Sequence, residues 1–405
     1  MLRRPPRECK RPRRAAPSGP DTGRRTPDVR RATTGGPPRH GSVGLPLERV
    51  STADRPHVER IAMTAVVSLT AAPVIDRTYF VDTFDEGKVN RATDQQEFLS
   101  GKGLNVSRTL RLGGVPTSAV LPIGRDDEHL LFRTPHPHIL RILRIPGRMR
   151  VNTAILEPGG RTTNVNQNPV PIPEADWQET IDMTVREIEA LGADWLVVSG
   201  AVPKVAETGE ALDFTRLFRE ARRLGTRIAL DSSGTSLDVL VRSGYINLVK
   251  PNADELATMV GRHLTTFGEV LDAARHLIDE CGLEVALVSL GGDGALAITR
   301  DVAWHGYAVA PRIVNTTGAG DATLAGFVGN SIQGAGRTGG RADFGQLPQL
   351  LVKRGLAAAV EYGALAVSVP TTIIDSFDEL PEAVIETPDP ERLLSEPTKF
   401  LTPRP

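Results

Sequence analysis

NTTGAGDATLAGF, residues 315–327, sets small residues directly before an apolar run with helical spacing. A helix that starts on Gly318, Ala319 and Gly320 leaves its first backbone N–H groups without intrahelical partners, and its macrodipole favours negative charge there. The pattern therefore predicts an anion cradle, with a transferring phosphoryl group as its natural guest. Asp321 falls in the first helical turn, within reach of a hydroxyl attacking that anion, and is the candidate general base. Taken alone, such a turn would read as a capped helix start. It is neither a Walker A loop nor a dinucleotide fingerprint: GxxxxGK[ST] is absent, and Thr323 stands where GxGxxG needs its last glycine.

Outward from this turn, β-rich apolar runs alternate with helical patterns from Ala65 onward. That alternation predicts an α/β fold, a doubly wound and mainly parallel sheet flanked by helices, with ligands at the carboxyl ends of its strands. The expected strands are AVVSLT (65–70), SAVLPI (118–123), WLVVSG (195–200), RIALDSS (227–233), INLVKPN (246–252) and ALVSLG (286–291). Trp177 to Leu191, Ala211 to Leu224 and Glu269 to Cys281 read as amphipathic helices. Two stretches, 79–98 and 150–166, look extended with no helix after them, and are expected to form a small β-sheet lid.

The chain's 405 residues suffice for one large core with an accessory sheet. Cys9 and Cys281 draw no disulfide framework or zinc site, and no apolar run is long enough for a membrane span, so a cytoplasmic protein with no membrane partner is expected. Residues 1–62 hold fifteen Arg or Lys against six acids, which leaves −10 on the remainder of a chain whose net charge is −1. This Arg/Pro-rich stretch has no apolar periodicity and no interleaved aromatics; it reads as a disordered extension without a nucleic-acid role, either dispensable or the result of a misassigned start with Met63 as the true first residue. Residues 63–385 are the expected catalytic domain and 386–405 a C-terminal tail. An acidic body does not attract phosphates by its net field, so a phosphate site must be built from local cations and amides.

Further motifs accompany GAGD. SGKGLNVSR (100–108) stands near the start, KPNADEL (250–256) follows a strand, and DSSG (231–234) and SLGGDGA (289–295) come before GAGD. Together, in this order, they resemble the ribokinase/PfkB family of carbohydrate kinases from about Met63 to Ser368. SLTAAPVID (68–76), GKVNRA (87–92), Lys102 and RVN (150–152) resemble its phosphosugar branch, which comprises 1-phosphofructokinases, tagatose-6-phosphate kinases and minor 6-phosphofructokinases. The resemblance implies a ribokinase-like fold, Mg²⁺ with ATP as co-substrate, a phosphorylated ketohexose as acceptor, and a homodimer through the lid.

It also implies roles. Asp76, placed at the carboxyl end of strand one, would bind sugar hydroxyls. Gly101 and Asn105 would border the polyol, two glycines admitting it to the backbone and the amide offering a donor and an acceptor. Lys88, Lys102 and Arg150 are candidates for the substrate's own phosphate, Arg as a bidentate fork and Lys as a point charge. Asn252 and Glu255, three apart on one helix face, would serve Mg²⁺ through its waters. Lys250, Ser289, Gly291 and Gly294 would line the nucleotide.

Departures from the family pattern are SGAVPK (199–204) in place of SGSLPPG, which brings Lys204 near the expected pocket, Ser100 for the first glycine of GGKG, and Gln167-Asn168-Pro169 after TTNVN. The expected reaction is phosphorylation of fructose 1-phosphate to fructose 1,6-bisphosphate. Tagatose-6-phosphate kinase and 6-phosphofructokinase are the neighbouring readings. A catalytically silent sugar-phosphate-binding regulator is the alternative from another class, and the retained Asp321, Gly320, Asn252 and Glu255 speak against it.

Overall fold

The computed structural model describes residues 64–159, 161–331 and 347–399. The basic stretch 1–62, Met63 and the end of the expected tail, 400–405, lie outside the described residues. In chain order the elements are β1 (Val66–Leu69), β2 (Val74–Phe80), β3 (Asp94–Ser100), α1 (Lys102–Leu112), β4 (Thr117–Gly124), β5 (Leu140–Ile145), β6 (Arg150–Leu156) and β7 (Thr162–Asn166). They continue with α2 (Glu174–Leu191), β8 (Trp195–Ser199), α3 (Thr215–Arg223), β9 (Arg227–Asp231), α4 (Gly234–Val241), β10 (Leu248–Val249), α5 (Ala253–Val260), α6 (Phe267–Cys281) and β11 (Val285–Ser289). After these come β12 (Ala295–Ile298), β13 (Ala303–Tyr307), α7 (Ala319–Asn330), α8 (Gln349–Ala366) and β14 (Val384–Glu386).

Among the described residues ten strands form one sheet in the order β14-β13-β12-β11-β10-β9-β8-β1-β4-β5. All pairs from β11 to β5 are parallel, and β12, β13 and β14 add on antiparallel. The strands are apolar at nearly every position because both faces are covered. Val67, Leu69, Leu196 and Val198 face the core under α2 to α6, while Val66, Trp195 and Val197 face the one under α1, α7 and α8. Strand order reverses between β1 and β8, and the crevice at the carboxyl ends there is where this architecture binds ligands.

Close backbone approach fixes the helices that carry the site. A Cβ on Gly103 would stand 2.9 Å from the Leu69 carbonyl and 2.7 Å from Thr70 Oγ1, so α1 can seat on the end of β1 only with glycine there. Thr70 Oγ1 also accepts from the Leu104 N–H at 2.9 Å and so caps the helix. Between α7 and α8, Gly326 leaves no room for a side chain against the Ala358 carbonyl.

The fold is the α/β architecture expected from the alternation, with a second sheet in the order β3-β2-β6-β7. This lid sheet starts at Val74, earlier than the expected 79. Asp76 therefore lies inside β2, paired with Phe98 of β3 and Asn152 of β6, rather than at the carboxyl end of strand one. The reason is the pair Val74 and Ile75, whose burial continues the chain straight into an extended strand.

β5 and the β12–β14 strands were not anticipated. LRILRI in β5 carries arginines among its apolar residues because it is an edge strand, paired among the described residues only with β4. Residues 386–399, read as a tail, pack on the body: β14 pairs with β13, and Leu394 and Thr398 are buried.

Candidate active site

The carboxyl ends of the central strands bring together charges that are distant in sequence. Asp231 ends β9, Lys250 follows β10, Lys102 opens α1 and Asp321 lies in the first turn of α7. Lys102 Nζ donates to Asp231 Oδ1 at 3.1 Å, and Lys250 Nζ lies 3.6 Å from the same oxygen. Burial alone would raise the Asp231 carboxyl, but Lys102 and Lys250 outweigh it and hold it below the usual carboxylate range. In return Asp231 holds the Lys102 ammonium well above its ordinary value.

Asp321, 5% exposed, accepts a hydrogen bond at Oδ2 from Asn105 Nδ2 at 3.0 Å. Burial pushes its carboxyl up to about 7; Lys102 opposes the rise and Asp231 adds to it. The Asn105 amide is oriented from its other end, because Ser100 Oγ (3.4 Å) and Arg108 Nη1 (3.5 Å) both address its Oδ1.

Gly318 caps α7 with φ 89°, a left-handed conformation that favours glycine. Ala319 N–H is taken weakly, at 3.4 Å, by the Thr316 carbonyl, and Thr317 N–H by Asn315 Oδ1 at 3.0 Å. The Gly320 backbone is what lets Lys250 come close: a Cβ there would stand 3.2 Å from Lys250 Nζ. The start of α7 thus lies against Lys250 of the Lys102–Asp231–Lys250 group, a combination of helix N-terminus and cations that suits an anion. This puts Lys102 beside Asp321 rather than beside Arg150, with which the sequence reading had grouped it.

On the lid side, burial raises Asp76, while Ser100, Arg150, Asn152 and Arg108 pull the other way. Arg150 Nη2 donates to the Ala72 carbonyl (3.1 Å) and Nη1 to that of Gln167 (3.3 Å). Arg150 Nε, Asn152 Oδ1 and Arg108 Nε are buried with no hydrogen-bond partner among the described residues. Unpaired polar atoms gathered around one carboxylate are costly unless a polar ligand completes them. The adjoining cleft is lined by Asp76, Asn152, Asn164, Asn315, Thr317 and Thr372, and so runs from the lid to the loop before α7.

Asn252 and Glu255 form a capping box on α5: Glu255 N–H donates to Asn252 Oδ1 (2.7 Å) and Asn252 N–H to Glu255 Oε2 (2.9 Å). Burial raises the Glu255 carboxyl, and among its charged neighbours are Asp231, Lys250 and Lys102. Among the described residues no three His, Cys, Asp or Glu side chains are grouped to hold a metal. The set suits a cation that arrives on a nucleotide and keeps most of its waters, and does not suit a dedicated protein cage. Ser289 N–H donates to the Pro251 carbonyl at 3.0 Å, which holds the end of β11 next to α5, and Gly291–Asp293 form a tight turn ended by Gly294 at φ 88°.

Two expected residues are not brought into this group. Lys88 lies on the loop between β2 and β3 with its side chain 71% exposed, paired with Asp85 at 3.2 Å. Lys204 is exposed, and its backbone bridges to Ala211. Gly101 and Gly103, expected to admit a polyol, also make room for the end of β1 and the residue after it: a Cβ on Gly101 would stand 2.5 Å from Thr70 Cγ2. Asp231 and Arg108 were missed as site residues. A charged residue ending an otherwise apolar central strand, and an arginine one turn after Asn105 on the same helix face, were the available signals.

A family model described as pfkB family carbohydrate kinase matches residues 63–376. The 1-phosphofructokinase of Rhodobacter capsulatus is 33% identical over 267 residues, covering 65% of this chain and 82% of its own length. That of Escherichia coli K12 is 29% identical over 266 residues, covering 65% and 83%. The crystal structure of Escherichia coli phosphofructokinase-2 in complex with substrates and products superposes with a TM-score of 0.65 at 25% identity, over 78% of this chain and 97% of that one. A possible 1-phosphofructokinase of Thermotoga maritima shares the fold, with a TM-score of 0.59 at 22% identity over 80% and 100% of the two chains.

Proposed function

Because the chain belongs to the pfkB family of carbohydrate kinases and is a sugar-phosphate kinase, we propose that it phosphorylates fructose 1-phosphate at the C6 hydroxyl, with Asp321 as the base. One observation carries the reading: a carboxyl pushed up to about 7, hydrogen-bonded by Asn105, lies at a helix N-terminus beside two lysines. A base with that affinity can take a hydroxyl proton as the oxygen attacks, and it is largely ionised at slightly alkaline pH. Asn105 Nδ2 directs the reacting lone pair. Lys102 and Lys250 offset charge on the phosphoryl oxygens, already positioned by Asp231. Asp76 and Asn152 hold sugar hydroxyls, and Arg150 holds the phosphate the acceptor already carries.

ATP is the co-substrate the family implies. Magnesium fits as a cation brought with it: Asn252 and Glu255 would hold it through its waters, and it would neutralise phosphate charge. Lys250, Ser289, Gly291 and Gly294 are assigned to the nucleotide side. The 1-phosphofructokinases of Rhodobacter capsulatus and Escherichia coli, as relatives, support fructose 1-phosphate over fructose 6-phosphate and tagatose 6-phosphate. The lid is also proposed to join two copies, and such a reaction belongs in the cytoplasm, where ATP and phosphosugars are present.

A coupled assay with ATP and each of the three phosphosugars tests the reading. The highest kcat/KM is expected with fructose 1-phosphate; preference for either of the others reassigns the substrate, and turnover on none favours a binding protein. Sedimentation velocity at assay concentrations tests the dimer, which a purely monomeric boundary would dismiss.

A further inference from the structure

The family match ends at residue 376, yet the described chain runs on to 399 and comes back to the nucleotide side of the site. β14 pairs with β13 through His305, Gly306 and Tyr307. The chain then crosses the start of α6: the N–H groups of Phe267 and Gly268 donate to the carbonyls of Arg392 and Pro390, each at 2.9 Å. Beyond that crossing, Ser395 N–H donates to Asp293 Oδ2 (2.7 Å), and Ser395 Oγ (2.7 Å) and Arg392 Nη2 (3.1 Å) donate to Oδ1.

Asp293 belongs to the Gly291–Gly294 turn and is 5% exposed. Burial would raise its carboxyl, but the Ser395 and Arg392 bonds hold it below the usual carboxylate range. His305 Nε2 donates to the Asp293 carbonyl at 2.7 Å while its Nδ1 lies 3.0 Å from Glu386 Oε1. The Arg392 guanidinium also stacks over the Phe267 ring, 4.8 Å from its centroid. A second anchor reaches α5, where Lys399 N–H donates to Asp254 Oδ1 at 2.6 Å.

We propose that residues 384–399 form a strap that positions the nucleotide half of the site, with Arg392 and Ser395 holding the Gly291–Gly294 turn and the Lys399 backbone holding α5. The inference rests on the assignment of that turn and of α5 to ATP. A turn with glycines at 291, 292 and 294 has many accessible conformations, and each that cannot receive ligand lowers apparent affinity by the competent fraction. The strap removes that loss by fixing the Asp293 carboxylate directly, and its carbonyl through His305, which Glu386 meets from the strap. Arg392 and Ser395 are positioning residues: they act on nucleotide through Asp293, and the phosphosugar side does not depend on them.

The test uses the full chain with Arg392→Ala and Ser395→Ala combined, and Arg392→Lys as the conservative control. If the strap keeps the turn competent and its loss leaves about one fifth of molecules so, KM for ATP rises about fivefold. KM for phosphosugar and kcat at saturating ATP should stay within about twofold. Calorimetric titration with MgATP alone should show the same ratio, and Arg392→Lys should recover most of it. Unchanged ATP affinity, or a common rise of both KM values that tracks a lower Tm, overturns the proposal. If the unaltered protein takes up no MgATP in the calorimeter, the nucleotide assignment falls and the strap's role falls with it. That outcome is separate from a wild type that binds and a variant that binds equally.

Discussion

Asp321→Asn should remove the base and stabilise the fold at the same time. The change keeps the shape and a hydrogen-bonding oxygen but accepts no proton, so kcat should fall by about 10² to 10⁴ with little change in either KM. Stability follows from linkage. The folded carboxyl titrates at about 7 against an ordinary value of 3.8, so the native state retains a proton that the unfolded chain releases. The protonated group's contribution is complete below about pH 4 and is lost as pH rises to about 7. The roughly three-unit gap is worth on the order of 4 kcal/mol, an upper bound because ligand-free charges relax. Asparagine mimics the protonated form and does not incur this loss, so at pH 8 the variant should unfold at higher urea than wild type, and at pH 4 the two should converge. Wild-type kcat/KM should likewise fall below about pH 7. A variant less stable at pH 8, or one with turnover within about threefold of wild type, would refute the assignment, since a capping aspartate tolerates asparagine with activity intact.

Arg150→Ala should raise KM for phosphosugar at least tenfold and leave KM for ATP nearly unchanged, since a charge-assisted pair is worth about 1.5 to 3 kcal/mol; equal effects on both substrates would make it a lid-structure residue. Asp231→Asn frees Lys102 and Lys250 from their buried partner, which should cost about 3 to 5 kcal/mol in urea unfolding. It should also move the acidic limb of kcat/KM to lower pH, because Asp231 is among the charges that raise Asp321; a limb that stays in place would mean that the two carboxylates do not interact. Gly103→Ala forces a methyl to within 2.9 Å of the Leu69 carbonyl and should destabilise by about 1 to 3 kcal/mol, read from the urea midpoint. Wild-type stability in that variant would show that α1 can shift from β1 at little cost.

What the sequence disclosed follows from how local each determinant is. The strands under both helix layers announced themselves because burial on two faces demands continuous apolar residues, as in Val66–Leu69 and Trp195–Ser199. The helix start at Gly318 was legible because a left-handed cap and an acid one turn later are properties of a few consecutive residues. Less local facts were hidden. That Lys102 belongs to Asp231 depends on the α1–β9 juxtaposition across 129 residues. That Asp76 sits in a strand depends on pairing with β3 and β6. The glycines of GKG looked like ligand-approach residues, and only the position of β1 shows that they also make room for a strand end. Arg392 and Ser395 gave no signal at all, since their partner Asp293 is about a hundred positions away.

The site holds two deeply buried carboxylates, and their environments decide between them as candidate bases. Asp231 is 1% exposed and faces two ammonium groups, so protonation would break a compensated pair in a low-dielectric setting. Its carboxyl is held down, and a group held down is a poor proton acceptor at neutral pH. Asp321 meets a neutral amide in Asn105 and feels the same lysines only at longer range, while Asp231 repels its charge. Two acids pushed in opposite directions suit different tasks, and in the proposed reaction the depressed one would fix cations and the raised one exchange protons. The division also orders events, because the lysines must be in place before a polyanionic phosphate arrives, whereas Asp321 needs to ionise only when a hydroxyl is presented to it. A negative phosphoryl group entering beside Asp321 would raise its carboxyl further, so proton uptake and phosphoryl transfer reinforce each other. The pH limb of kcat, which reports the ternary complex, should then lie above that of kcat/KM, which reports the free enzyme. Coincident limbs would place the acceptor proton elsewhere.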